Sequence, residues 1–262
     1  FDVVGHDIRD AAVERLERAG GRGVPSPAAV ATSADVVVTS LPTPDAVADV
    51  FTDEDGLFAG GNEGLTMLET STSVPETTRT LAEVASEEGM QVVDAPVSGG
   101  TEGARDGTLA LMVGATESAL DPIAIDVLST IGEQTYYLGD VGTGHATKLA
   151  NNVLFSGHLV LAMEAMALGA AHGVDAEMLF EVISNSSGTS GQFEKRVPRV
   201  LNRNFEPGFT VDLTKKDVRL ASRTADEIDH PMALTSLVHE LYKEASASGH
   251  GEADAGAIAK II

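Results

Sequence analysis

Short, β-branched apolar runs alternate with helical patterns through the first half of the chain. Asp2–His6 has the pattern of a strand, and Asp10–Ala19 that of a helix ending at Gly20-Gly21. Ala34-Asp-Val-Val-Val-Thr-Ser40 is almost continuously apolar, as expected of a strand buried on both faces of a parallel sheet. Leu65–Glu69, Gln91–Asp94, Leu109–Val113 and Gln134–Leu138 continue the strand series, while Pro75–Glu88 predicts a helix with proline in its first turn. Strands alternating with helices predict a doubly wound α/β domain.

After Gly144 the texture changes. His145 to His172 is one Ala- and Leu-rich stretch without proline, which predicts a long and largely buried helix. Further helical patterns cover Ala176–Ile183, Asp217–Glu227 and Met232–Ser248, and no strand is expected beyond Leu138. The expected boundary is near Val141: residues 1–141 form the α/β domain and residues 142–262 an all-helical domain that binds substrate and mediates oligomerisation.

Charge changes the picture of the surroundings, not of the fold. Forty acidic residues against seventeen basic ones give a net charge of −23, and only six of the basic residues are lysine. A field of that sign repels nucleic acid and anionic membranes, so neither is expected as a partner. Dispersed acidity with scarce lysine points to adaptation to high salt; an ordinary acidic cytosolic protein is the alternative. No apolar run approaching the roughly 20 residues of a membrane span is expected, and no signal peptide opens the chain. With no cysteine, disulfides and thiolate chemistry are excluded, and a cytoplasmic location is expected. Seven histidines stand apart without an H-E-x-x-H pair, so no metal site is expected.

An α/β domain of this kind, Rossmann-type, normally opens with a strand and a G-x-G-x-x-G turn that cradles a pyrophosphate. That turn is absent; the chain begins where the second strand of such a domain would lie, which makes the domain look truncated at its N-terminus. Asp7 follows this strand where an acid accepts from the adenosine ribose hydroxyls, favouring NAD, and nearby Arg9 leaves NADP admissible. Leu41 and Pro42 end the Val-rich strand, at the strand edge where ligands of open α/β sheets bind. Asp94-Ala-Pro-Val-Ser98-Gly99-Gly100 ends a later strand with consecutive unobstructed N–H groups and a hydroxyl, suited to a small carboxylate. On the long helix, Lys148 and Asn152 are four residues apart and share a face. Glycines just ahead of it are expected to let backbone approach a ligand.

Four segments together resemble the β-hydroxyacid dehydrogenase family, most nearly its 3-hydroxyisobutyrate dehydrogenases and, more distantly, 6-phosphogluconate dehydrogenase. They are Leu41-Pro-Thr-Pro44 with Ser71-Thr72-Ser-Val-Pro75, Asp94–Gly100, Gly139–Asn152, and Leu213-Thr-Lys-Lys216-Asp-Val-Arg-Leu-Ala221. The resemblance implies that Thr72 contacts the cofactor and that Ser98, Gly99 and Gly100 bind the substrate carboxylate. It implies further that Lys148 is catalytic, that Asn152 positions the substrate, and that Lys216 reaches the cofactor. Ala46 departs from relatives that carry a polar cofactor contact there. The implied reaction is NAD(P)-dependent oxidation of a 3-hydroxy acid to its semialdehyde, by a homodimer or homotetramer assembled through the helical domain. Two alternatives stay open: a tartronate semialdehyde or glyoxylate-type reductase of the same family, and a non-catalytic binding protein on a truncated dehydrogenase fold.

Overall fold

The alternating runs of the first half fold in the expected order. The structure, a computed structural model, describes residues 1–262. Its first elements are β1 (Val4–Gly5), α1 (Asp10–Arg18), β2 (Arg22–Gly23), α2 (Pro27–Ser33), β3 (Val36–Thr39), α3 (Pro44–Thr52), α4 (Leu57–Gly60) and β4 (Thr66–Glu69). Then come α5 (Pro75–Glu87), β5 (Gln91–Asp94), β6 (Val97–Ser98), α6 (Gly100–Asp106), β7 (Leu109–Val113), α7 (Pro122–Ile131) and β8 (Gly132–Tyr137). The strands are hydrogen-bonded in three groups: β1 with β2, β3-β4-β5, and β6-β7-β8. All pairings are parallel except that of the short strand β6, which the sequence pattern does not mark, with β7. The N–H of Gly114 donates to the carbonyl of Asp94 (2.8 Å) and that of Met112 to Pro96 (3.0 Å), tying the end of β5 to β7.

Burial follows the sequence pattern in β4 but not in β3, where Val38 is exposed although its run implied burial on both faces. β4 is buried at every position, and Met67 and Val92 pack with Phe51, Leu57 and Leu81 on one side of the sheet. Leu68 and Val93 face the other way, against Val113, Ala124 and Leu128. Three unforeseen helices have a shared local cause. Ser26, Thr43 and Asp121 each cap a helix whose first turn holds proline, which needs no N–H there.

Contacts divide the chain into two compact units, Phe1–Lys148 and Leu149–Ile262. The division falls inside α8 (Thr143–Ala171), which no break in pattern marks. The second unit continues with α9 (Ala176–Ser184), α10 (Gly191–Leu201), α11 (Val211–Asp226) and α12 (Ala233–Ala245). Its core joins Leu159, Val160 and Met163 of α8 to Phe193, Val197, Val211, Tyr242 and Ile258. α11 starts six residues before the expected Asp217, because the Thr210 hydroxyl accepts the N–H of Leu213 and begins the helix there. α8 also corrects the expectation of no span-length apolar run. By length and composition alone it could cross a membrane, an 18-residue window within it having a mean hydropathy of 1.6. Its few polar residues had hidden that average. At the far end of the unit, buried Asp254 accepts from Arg196 and from the N–H groups of Gly256 and Gly208. Burial would raise its carboxyl, but these donors hold it below the usual range.

Candidate active site

Parallel pairing of β3 with β4 puts their carboxyl ends on one edge, Thr39 opposite Glu69. The loops beyond are then fastened together. Thr70 donates through its N–H (2.9 Å) and hydroxyl (2.7 Å) to the carbonyl of Thr39. The N–H of Leu41 donates to Ser71 Oγ at 2.7 Å, and that of Ser71 to Glu69 Oε1 at 2.9 Å. Leu41, Pro42 and half-buried Thr72 therefore belong to one rigid rim. Thr43, between the prolines, caps α3 through the N–H of Ala46.

Asp7 follows β1, but its surroundings differ from those expected. Arg9 was expected only to temper its preference; instead it donates three hydrogen bonds to the Asp7 carboxylate, from its backbone N–H, Nε and Nη2. The Arg9 side-chain bonds, with the backbone bond, pull the Asp7 carboxyl down to about 2. Asp7 bonds to none of the other proposed site residues.

The Asp94–Gly100 string has two halves with different roles. Val97 and Ser98 pair with Leu111 and Ala110, which fixes the strand leading to the glycines. Gly99 and Gly100 take φ of +138° and +68°, a region that disfavours side chains, and both are exposed. A Cβ on Gly99 would lie 3.0 Å from Leu109 Cδ2, whereas Gly100 faces open space. The other end, Asp94, is fully buried. It accepts the N–H of Gly142 on Oδ1 (2.7 Å) and of His145 on Oδ2 (2.8 Å), at the start of α8. Gly144 and Gly114 make room for it: a Cβ on Gly144 would lie 2.2 Å from the Met112 carbonyl, and one on Gly114 2.1 Å from Asp94 Oδ1. Gly144 therefore admits the protein's own backbone and carboxylate, a correction to the expectation that it admits a ligand. The negative charge favoured at this helix start is likewise Asp94's own.

His145, on the same turn, is also fully buried. Its Nε2 lies 3.0 Å from Glu69 Oε2 and 2.9 Å from Thr78 Oγ1. Glu69 thus holds the Ser71 loop with one oxygen, while its other oxygen lies beside the buried imidazole at the start of α8. Half-buried Lys148 follows one turn later, and buried Asn152 one turn beyond it.

In the second unit, the Asn152 amide is held on both sides. Its Nδ2 donates to Asp217 Oδ2 at 2.6 Å, and its Oδ1 accepts from Asn151 at 3.0 Å. Asp217 Oδ1 in turn lies 3.1 Å from Lys216 Nζ. Asn152, Asp217 and Lys216 form a continuous chain of hydrogen bond and ion pair. Asp94, Glu69, His145 and Asp217 are the members that motif reasoning left without roles. The signal available was a polar residue in an otherwise apolar setting, a strand end for Glu69 and Asp94 and the opening of an apolar helix for His145; Asp217 sits inside α11.

Known proteins resemble this chain in sequence and fold. Residues 1–139 match the family model described as the NAD binding domain of 6-phosphogluconate dehydrogenase, and residues 142–262 that described as NAD-binding of NADP-dependent 3-hydroxyisobutyrate dehydrogenase. The chain is 35% identical to 2-(hydroxymethyl)glutarate dehydrogenase of Eubacterium barkeri over 260 residues, 99% of this chain and 86% of that protein. It is 32% identical to the mitochondrial 3-hydroxyisobutyrate dehydrogenase of Homo sapiens, covering 100% of this chain and 80% of that one. Mycobacterium tuberculosis 3-hydroxyisobutyrate dehydrogenase, solved with L-serine, superposes with a TM-score of 0.91 at 30% identity, covering 99% of this chain and 90% of that one. With two family models spanning both halves, the chain belongs to the β-hydroxyacid dehydrogenases, NAD(P)-dependent oxidoreductases that act on the CH–OH group of hydroxy acids.

Proposed function

We propose that the chain oxidises a small 3-hydroxy acid of the 3-hydroxyisobutyrate type to its semialdehyde, with NAD preferred. The observation that carries this reading is the Lys148–Asn152 helix turn, with Asn152 locked by Asp217. Ser98, Gly99 and Gly100 receive the substrate carboxylate. Lys148 takes the proton from the hydroxyl, and Asn152, unable to rotate between Asp217 and Asn151, fixes the direction of the carbon–oxygen bond. Leu41, Pro42, Thr72 and Lys216 would hold the nicotinamide nucleotide, and Asp7 its adenosine ribose; the rim joining Leu41 to Ser71 fits such a ligand. When bound, the nucleotide supplies the hydride acceptor.

Relatives described as an L-threonate dehydrogenase and an NAD-dependent L-serine dehydrogenase, each 34% identical, also act on acids with a hydroxyl β to the carboxylate. Initial rates with NAD and NADP across 3-hydroxyisobutyrate, glycerate, 3-hydroxypropionate and 4-hydroxybutyrate test the reading. The 3-hydroxy acids should turn over, and 4-hydroxybutyrate should have a kcat/KM at least about 10-fold lower, since its extra methylene misplaces the hydroxyl. A folded, nucleotide-binding protein inert toward every 3-hydroxy acid refutes it.

The same proposal makes the protein a cytoplasmic, salt-adapted homodimer or homotetramer. Its charge of −23 supports the salt adaptation. Leu154, Leu161 and Leu168 support the assembly: spaced by seven along α8, they are 58%, 62% and 64% exposed. Such a stripe is what a helix buries against a second copy. Light scattering at micromolar concentration should show an oligomer that Leu161→Glu converts to a smaller species. An unchanged mass in the variant, or a monomeric parent, removes this part.

A further inference from the structure

In a chain this acidic, one concavity has walls that are wholly basic. A cavity of about 390 Å³ in the second unit is lined by Lys215, Lys216 and Arg219 of α11 and by His239 and Lys243 of α12. Four of the chain's seventeen basic residues meet there. Three carboxylates partly offset them. Lys215 Nζ is held by Asp212 Oδ1 (2.6 Å) and Ser246 Oγ (2.7 Å), and Lys216 by Asp217. Lys243 reaches Glu240 at 3.0 Å, but both side chains are more than 60% exposed, so that pair costs little to open. Arg219 is exposed and makes no ion pair, leaving one positive charge in excess on a planar group suited to a carboxylate. The half-buried imidazole of His239 reports the local field. Burial lowers its pKa most, Glu240 opposes this, and Lys243, Arg219 and Lys215 push it further down.

The location gives the cavity a purpose. Lys216, which forms part of its wall, is joined through Asp217 to Asn152. Lys216 thus belongs both to the cavity wall and to the chain of contacts that ends at the proposed substrate-orienting amide. We propose that it receives a second carboxylate, so that the preferred substrate is a dicarboxylic 3-hydroxy acid whose distal arm lies against Arg219 and Lys243. This rests on the hydroxy-acid reading above and specifies its substrate class.

A matched pair of compounds tests it. 2-(Hydroxymethyl)glutarate is 3-hydroxyisobutyrate with the methyl group replaced by a carboxyethyl arm, so the reacting end is unchanged. At low ionic strength the dicarboxylate should have the higher kcat/KM, by about tenfold, the equivalent of one favourable charge contact. Arg219→Ala/Lys243→Ala should erase that preference while leaving kcat/KM for 3-hydroxyisobutyrate near the parent value. Independently of turnover, glutarate should raise the pKa of His239 in an NMR titration of the parent and not of the double variant. A flat ratio for the two acids, or glutarate leaving His239 unmoved, overturns the proposal. So does a response of His239 to inorganic phosphate alone, which makes the cavity a phosphate site. Turnover of 3-hydroxyisobutyrate with a flat ratio defeats this proposal alone. Glutarate moving His239 in a protein that oxidises neither acid defeats the hydroxy-acid reading and leaves only an anion site.

Discussion

Lys148→Ala should lower turnover of any 3-hydroxy acid by about 10²- to 10⁴-fold, the usual contribution of a positioned general base, while nucleotide affinity stays near the parent value. The separation of the two effects follows from geometry. The rim that carries Leu41 and Thr72 is fastened through Ser71, Thr39 and Glu69 by hydrogen bonds that do not include Lys148. Lys148→Arg separates charge from proton transfer. Arginine keeps a cation on the same helix face but does not release its proton in the working range. If Lys148 acts as the base, the arginine variant should be nearly as slow as the alanine variant. If it only attracts the substrate carboxylate, arginine should restore most of the rate. Oxidation by the parent should rise with pH as the ammonium deprotonates, and reduction of the semialdehyde should fall over the same interval. Turnover by Lys148→Ala within a few-fold of the parent eliminates the assignment.

What could be read from the chain alone followed from how each signal is encoded. Val36–Thr39 and Leu109–Val113 announce themselves as apolar runs, but the burial of Val36–Thr39 on both faces that its run implied is not met, since Val38 is 44% exposed. Gly99 and Gly100 were legible because positive φ at two successive positions admits little but glycine. Nine-residue α1 and α9 were foreseen, but the similarly short α2, α3 and α7 were not. The Ser-Pro, Thr-Pro and Asp-Pro steps that start them were nevertheless present. The bonds of Asp94 to Gly142 and His145 span 48 and 51 residues, and that of Asn152 to Asp217 spans 65. No local pattern encodes a contact at such separations. Motif spacing therefore yields the groups that face the substrate, and only the fold yields the groups that hold them.

Asp94 is the clearest of these supporting residues, and replacing it should cost both stability and rate. Its carboxylate is fully buried and accepts from two N–H groups at the start of α8, which have no partner within the helix. Charge-assisted bonds of this type contribute about 1.5–3 kcal/mol each, and removing their acceptor strands both buried donors. Asp94→Ala should therefore lose about 3–5 kcal/mol in urea denaturation. Asp94→Asn is the sharper variant. Gly114 and Gly144 leave space for a group of this shape, but an amide would turn one of the two acceptors into a donor facing an N–H. Stability should fall nearly as far although no cavity is made. Because Lys148 stands one turn past His145, loosening this start should also displace the proposed base. A misplacement of about 1 Å can lower a rate 10²-fold. Below the melting transition, kcat of Asp94→Asn should fall by at least about tenfold while nucleotide affinity changes little, since Glu69 and Ser71 still hold the rim. A variant that unfolds earlier yet keeps the parent kcat would assign Asp94 to the fold alone.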